Sequence, residues 1–425
     1  MIVRIKINSS SRKHDISLLF AVIFFVFSWA PMKSDTTLNV TGIGFSLRSL
    51  YVICTVLLAV FFLPRMTKRF SKYSLLTALC PLMYFGINTF HAYRPVSANF
   101  SVIALMLLFA LYEDEIKTKS IEYIRMGITA IAAVGIVCWV CATLRIPLPY
   151  ARTIYYSSDA QALGYYYRNY LHLCYLIEYS RIGFFRLCGI FNESGEFGVF
   201  LGLLLCIDRV NLKKRENLVL LVAGCMTLSL AFFVILALYV MYANRHSLKI
   251  VTLVGSGLLF LLCVPGHVMT GVASIDALLV RISRSLSGSV GAGRISMQVN
   301  DFLKNRFFRE GKWLYGYGTA YVANRISGGG SSLLITVIEQ GVLGTALLYG
   351  FPLLIMICKH KRYSEAIVYI LLNYVSFYQR PYLYNIAYFI MLFGGVEQVR
   401  TLKWGNAEKL RNLNPLSEAY RCKSV

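Results

Sequence analysis

The sequence predicts an all-α fold, a polytopic transmembrane helical bundle of about 12 spans that takes up 1–425 as a single integral membrane domain. Three observations carry this. Of 425 residues, 57% are hydrophobic and 15% charged, against about 25% charged in an ordinary soluble chain. The mean hydropathy is +0.59. Apolar runs long enough for membrane helices recur from Ile16 to Val396, separated mostly by short loops rich in Lys and Arg.

The first run, Ile16 to Met32, lacks a small-residue cleavage site and is followed by further runs, so it reads as a retained first helix. Spans are expected near 16–33, 46–64, 74–91, 98–112, 121–144 and 187–207, then 249–265, 331–357, 364–378 and 383–397. The stretch from Asn217 to Ala243 is long for one helix and short for two. Parity decides it. Arg209, Lys213, Lys214 and Arg215 mark the loop before it as inside, and Arg245, His246 and Lys249 mark the loop after it as inside too. Two inside loops require an even number of crossings, so the stretch reads as two short helices turning near Thr227-Leu-Ser229. Both termini are then cytoplasmic, with 398–425 as a tail.

The net charge of +23 would suggest nucleic acid in a soluble chain. Here most of it lies in short inter-span loops, the positive-inside pattern, so no nucleic-acid partner is expected. The 11 cysteines are scattered, mostly within apolar runs. Cys138 and Cys141 form a lone C-x-x-C with no second pair, which reads as apolar filling.

Two long loops, 145–186 and 266–330, then fall outside, and neither reads as a separate domain. Together they hold eleven arginines against two lysines, Lys304 and Lys312. Topology alone does not favour arginine over lysine. The planar arginine fork suits bidentate contact with phosphate, so the bias points to an anionic, phosphate-bearing ligand. Pairing with lipid head groups is the plainer alternative. Short amphipathic helices are expected at Asp276–Leu286 and Arg294–Arg309. In the second, Ile295, Val299, Phe302 and Leu303 make a stripe suited to the head-group boundary. The many tyrosines between Tyr155 and Tyr179 read mostly as an interfacial aromatic belt.

The first loop ends in Arg186-Leu-Cys-Gly189-Ile-Phe191-Asn192-Glu193-Ser194-Gly195-Glu196-Phe197-Gly198. Later come Gly316-Tyr-Gly318, Gly328-Gly-Gly330-Ser331-Ser332 and Glu339-Gln-Gly341-Val-Leu-Gly344. This order resembles the O-antigen and capsule repeat-unit polymerases, of the O-antigen polymerase/ligase superfamily, over roughly Arg181 to Gly350. The resemblance implies a metal-independent membrane glycosyltransferase of the bacterial cytoplasmic (inner) membrane. It would join undecaprenyl-diphosphate-linked oligosaccharides on the outer face, with no cofactor. Its partners would be those lipid-linked glycans and the bilayer; a chain-length regulator is left open.

Ligases of the superfamily carry a histidine before the late helix. Ser331 and Ser332 stand there instead, which favours a polymerase. An R-x10-G element known in some polymerases is absent at that spacing, since Arg306 to Gly318 is one residue too long. On this reading Glu193 is the base, and Arg186 and Arg294 stabilise the leaving diphosphate. Arg181, Arg281, Arg284, Arg306, Arg309, Arg325 and Arg380 bind substrate. For Glu193 and Glu196 the plainer role is to complement a helix dipole. For Glu339 inside its span, buried hydrogen bonding between helices is expected. An O-antigen ligase is the rival enzyme, and a polysaccharide flippase is the rival of another class, disfavoured by the lack of an internal repeat.

Overall fold

The structure, a computed structural model, describes residues 9–29, 38–40, 43–45, 53, 57, 71–93, 100–153, 165–171, 173–179, 184–263, 296–326 and 332–413. Helix accounts for 74% of the described residues. In chain order these are α1 (Ser9–Ser28), a small hairpin of β1 (Leu38–Val40) and β2 (Ile43–Phe45), α2 (Lys72–Phe90), α3 (Phe100–Leu111) and α4 (Asp114–Thr143). A meander follows: β3 (Ala151–Thr153), β4 (Tyr165–Tyr170), β5 (Cys174–Tyr179) and β6 (Phe184–Gly189). Then come α5 (Ser194–Ile207), α6 (Arg215–Thr227), α7 (Leu230–Ala243), α8 (Leu248–Cys263) and α9 (Met297–Phe302). The last described elements are α10 (Leu333–Thr345), α11 (Phe351–His360), α12 (Ser364–Gln379) and α13 (Ile386–Leu413).

Among the described residues, two helices are long and apolar enough to cross a membrane: α4, and the rod Leu333–His360, which is kinked at Gly341 and in which a π-helical turn (Ala346–Gly350) joins α10 to α11. The expected span at 46–64 and the expected helix at Asp276–Leu286 lie outside the described residues, save Ile53 and Leu57. The last helix runs on to Leu413, past the expected end of its span at 397.

The core is built round α5. Every residue from Ser194 to Ile207 is buried, as a helix apolar on all sides requires. Next to it, the stretch 217–243 is two helices, the division expected from the sequence. Leu228 adopts a left-handed conformation (φ 47°) and ends α6; Ser229 opens α7. Gly198 lies against Ser229, and one turn on Gly202 lies against Ile235, so α5 and α7 run the same way. The opposite arm starts at Lys214, which pairs with Asp208 at the end of α5 (3.1 Å), and climbs to Thr227 beside Gly198. At the foot of α7, Tyr242 bonds Ser364 (2.9 Å), while Arg209 pairs with the adjoining Glu365 (2.8 Å). Both feet of this hairpin therefore sit at the C-terminal end of α5. Arms of 13 and 14 residues are each about 20 Å long, short of a ~30 Å hydrocarbon core.

Ions tie the helices elsewhere. Asp114 at the start of α4 pairs with Lys359 (3.0 Å) and Arg400 (2.9 Å), and Arg400 also reaches Glu397 (2.9 Å). Lys13 in α1 pairs with Glu113 (3.0 Å). One end of α1, α4 and α11 is thus joined by charge to the middle of α13.

The all-α reading is corrected in the first loop. The four strands form an antiparallel sheet in the order β3-β4-β5-β6. Aromatic and β-branched residues suit a pleated surface, and of the tyrosines that read as a membrane belt, Tyr165, Tyr166, Tyr167, Tyr170, Tyr175 and Tyr179 are strand residues instead. One face carries Tyr167, Tyr175, Ile177 and Cys188, a small apolar cluster with Trp29 packed on it. The other packs on α4. Gly135 admits the Leu187 side chain, whose Cδ1 would stand 2.8 Å from a Cβ there, and Trp139 donates to the carbonyl of Phe185 (3.1 Å).

The second loop also differs. Its expected amphipathic helix exists in part, as α9 continued by a π-helical turn (Leu303–Phe307). The stripe Val299, Phe302 and Leu303 does not face outward, however. It packs on Phe307, Tyr317, Val322 and Ile338, because the protein itself supplies the apolar partner.

Candidate functional site

The Arg186–Gly198 motif marks the junction of sheet, buried helix and hairpin tip. Gly189 takes φ +59°, a left-handed turn that L side chains resist, and swings the chain from β6 toward α5. Phe191 and Phe197 stack there (5.3 Å between centroids). Tyr167 on β4 donates its hydroxyl to the carbonyl of Asn192 (2.7 Å), fixing the entry to α5.

Glu193 is the N-cap of α5, and its side chain makes no capping bond, so it is not used up by its own helix. It pairs instead with Arg380. That arginine stands in the short turn between α12 and α13, donates its backbone N–H to Ser376 (3.0 Å), and is 3% exposed. The Glu193 side chain is 43% exposed, so the pair has one buried partner and one accessible partner. Burial by itself would lower the pKa of Arg380. The Glu193 carboxylate beside it, with Glu196 in support, reverses this and holds it above the ordinary arginine value. Its Nη1 is buried and has no hydrogen-bond partner among the described residues.

The other two glycines of the motif now have reasons. A Cβ on Gly195 would lie 2.6 Å from Nη2 of Arg380, so only glycine lets the guanidinium cross the first turn of α5. A Cβ on Gly198 would lie 2.6 Å from the Cβ of Ser229, so glycine admits the hairpin tip. The start of α7 therefore lies against the start of α5. The N–H groups of two first turns lie together at this point, a setting that favours negative charge.

Arg186 is 5% exposed. Its Nε donates to the carbonyl of Thr227 (3.0 Å) and its Nη2 to that of Leu228 (3.1 Å). These carbonyls close α6, where cations are favoured and acceptors lack helical partners. The arginine fastens β6 to the hairpin tip.

The other candidates divide. Arg306 pairs with Glu310 (2.8 Å) and lies over the Phe302 ring; Arg325 bonds the Tyr93 hydroxyl and lies over that ring; Arg309 is exposed. Arg306 and Arg325 flank the Phe302–Tyr317–Tyr321 cluster, and all three arginines lie on elements other than those that carry Glu193. Arg181, Arg281, Arg284 and Arg294 lie outside the described residues. In the sheet, Arg152 (3.1 Å) and Arg168 (3.0 Å) both pair with Glu178, so two arginines counted toward a phosphate ligand have an internal partner.

Glu196, Thr227 and Ser229 belong to this junction and were not among the sequence candidates. The E-x-x-E spacing was visible; the hairpin tip's approach was not.

Of the three late motifs, residues 328–331 of the second lie outside the described residues, and the other two motifs prove to be one structure. At Gly341 the rod Leu333–His360 is broken, with φ 69° and ψ 178°, a conformation open essentially to glycine alone. The freed backbone groups pair with 313–318: Val342 N–H to Trp313 (3.0 Å), Leu343 N–H to Leu314 (3.1 Å), Tyr317 N–H to Ile338 (3.0 Å) and Gly318 N–H to Glu339 (2.8 Å). A Cβ on Gly316 would stand 2.3 Å from the carbonyl oxygen of Glu339. Glu339 itself accepts from the Val322 N–H (3.3 Å), and Gln340 donates to Thr319 (2.6 Å). The motif residues hold two segments together, as expected of Glu339.

No protein-family model, curated protein or solved structure matches the chain.

Proposed function

We propose that the chain is a membrane glycosyltransferase that joins undecaprenyl-diphosphate-linked repeat units into a surface polysaccharide, on the outer face of the bacterial cytoplasmic membrane. The observation that carries this is the Glu193–Arg380 pair: an accessible carboxylate on a buried guanidinium, at the start of an entirely buried helix.

A diphosphate oxygen competes with Glu193 for the Arg380 guanidinium, whose Nη1 is buried without a hydrogen-bond partner among the described residues. Glu193 is released from its ion pair and receives the proton of the acceptor hydroxyl. The hydroxyl oxygen bonds to the anomeric carbon, the bond from that carbon to the diphosphate breaks, and the diphosphate leaves with the electron pair. Arg380 and the first-turn N–H groups meet the growing negative charge. Arg186 is then a positioning residue that holds the hairpin tip in place. The non-helical backbone of the hairpin is confined to the turn at Leu228–Ser229, which packs against α5, as such backbone at membrane depth requires.

The test is a gel of surface polysaccharide from a strain deleted for the gene, beside the parent and the complemented strain. Single repeat units on the acceptor with the ladder gone support polymerisation. Long lipid-linked chains that never reach the acceptor indicate a ligase, single units trapped inside indicate a transporter, and an unchanged ladder rejects all three for that polysaccharide.

A further inference from the structure

We propose that the turn 308–315 rests on an anionic phospholipid surface and marks one boundary of the bilayer. The inference rests on the membrane-spanning reading of the rod Leu333–His360 and not on the catalytic one.

The argument starts from what the turn exposes. Phe308 is 66% exposed, Tyr315 66% and Trp313 41%, although each is of a type that folding usually buries. They are not needed for the local core, since Val299, Phe302 and Phe307 fill it from the other side. Lys304, Arg309 and Lys312 are exposed beside them. The one acid within the turn, Glu310, is taken by Arg306 (2.8 Å) and by the Tyr317 hydroxyl (2.8 Å). The free charge of the turn is therefore positive.

Its height relative to the rod is fixed by backbone bonds. Trp313 and Leu314 accept from Val342 and Leu343, immediately past the break at Gly341. Gly341 to His360 is 20 residues, about 30 Å of helix and the thickness of a hydrocarbon core. Along that length Val342, Leu343, Leu347 and Leu354 stay 42–62% exposed, an apolar strip that the protein leaves uncovered. Lys359, Lys361 and Arg362 close the strip at one end, and the aromatic turn closes it at the other. Tryptophan and tyrosine favour the interface, and cations at that depth draw anionic head groups. A lipid surface satisfies the strip, the aromatics and the cations together.

The test uses the full chain in vesicles of equal parts phosphatidylcholine and phosphatidylglycerol, with bromine at shallow or deep positions of the acyl chains. The fluorescence of Trp313 is the difference between the parent and Trp313→Phe. Shallow bromine should quench it more than deep bromine. A Leu354→Trp variant, placed along the strip, serves as the reference and should be quenched by deep bromine. Quenching of Leu354→Trp with none of Trp313 overturns the proposal and leaves the span standing; no quenching of either overturns both. Spin-labelled lipids give the second readout. The preference for phosphatidylglycerol over phosphatidylcholine should fall by up to about fivefold for each cation removed in Lys304→Gln, Arg309→Gln and Lys312→Gln. An unchanged preference in the triple variant overturns the anionic part.

Discussion

Replacing Arg186 with methionine separates a structural clasp from a substrate contact. The parent side chain is buried and makes two bonds, at 3.0 and 3.1 Å, to the carbonyls that close α6. Hydrogen bonds to a charged group contribute about 1.5–3 kcal/mol each. Losing both costs about 3–6 kcal/mol, because the carbonyls stay buried and the methionine offers no donor. Arg186→Lys keeps the charge and reaches one carbonyl, so about half the loss returns. The assay is thermal unfolding of the purified protein in detergent, run beside the polysaccharide ladder. The expected order of stability is parent, then lysine, then methionine, with polymerisation falling in step. A methionine variant that melts with the parent and makes no ladder would refute the reasoning, since Arg186 would then act on substrate and not on the hairpin tip.

Glu193→Gln should abolish the ladder while the protein stays folded in the membrane; a normal ladder from a well-expressed variant removes Glu193 from the mechanism. Gly198→Ala should destabilise by about 1–3 kcal/mol through overpacking on Ser229, and Ser229→Gly should recover part of this in the double variant. Purely additive melting shifts in that cycle would break the assigned contact. Gly341→Ala places a Cβ 2.3 Å from the Leu314 carbonyl oxygen in a backbone region reserved for glycine, so folded yield should collapse; a parent-like yield would count against the stitched break. For Glu178, burial would raise the pKa, but Arg168 and Arg152 outweigh it and hold the carboxyl below its ordinary range. A depressed folded pKa stabilises above the unfolded value of about 4.3 and is lost as pH falls through the folded one. Melting temperatures of the parent and Glu178→Gln should therefore differ at neutral pH and converge in acid, and a gap that persists in acid would sink the ion-pair account.

What the sequence made legible follows the range of the interactions. The break at Thr227-Leu-Ser229 was readable because charge on both flanking loops constrains parity, a property of local composition. The E-S-G-E-F-G segment was readable as a unit because its residues are neighbours in the chain. The strands of 151–189 were not, because a tyrosine run fits a pleated sheet and a membrane interface equally well. The internal pairing of Arg152 and Arg168 depends on the register of β3, β4 and β5 against Glu178, which no short pattern encodes. Nor could spacing reveal that Gly316-Tyr-Gly318 and Glu339-Gln-Gly341 form one backbone seam, since the partners are more than twenty residues apart. Arg380 was found as an isolated cation at a turn; its pairing with Glu193, 187 positions earlier, is purely tertiary.

The stretch from Arg186 to Gly198 behaves as a ruler. β6 sets one end, and three marks on it, Glu193, Gly195 and Gly198, must each meet a different piece of the molecule. Substitutions between the marks leave the scale intact, but one residue inserted between Gly195 and Gly198, inside the first turn of α5, would rotate the last mark by about 100° around the axis of α5. Among descendants of this gene, amino-acid changes should therefore accumulate within the ruler long before any change in its length does.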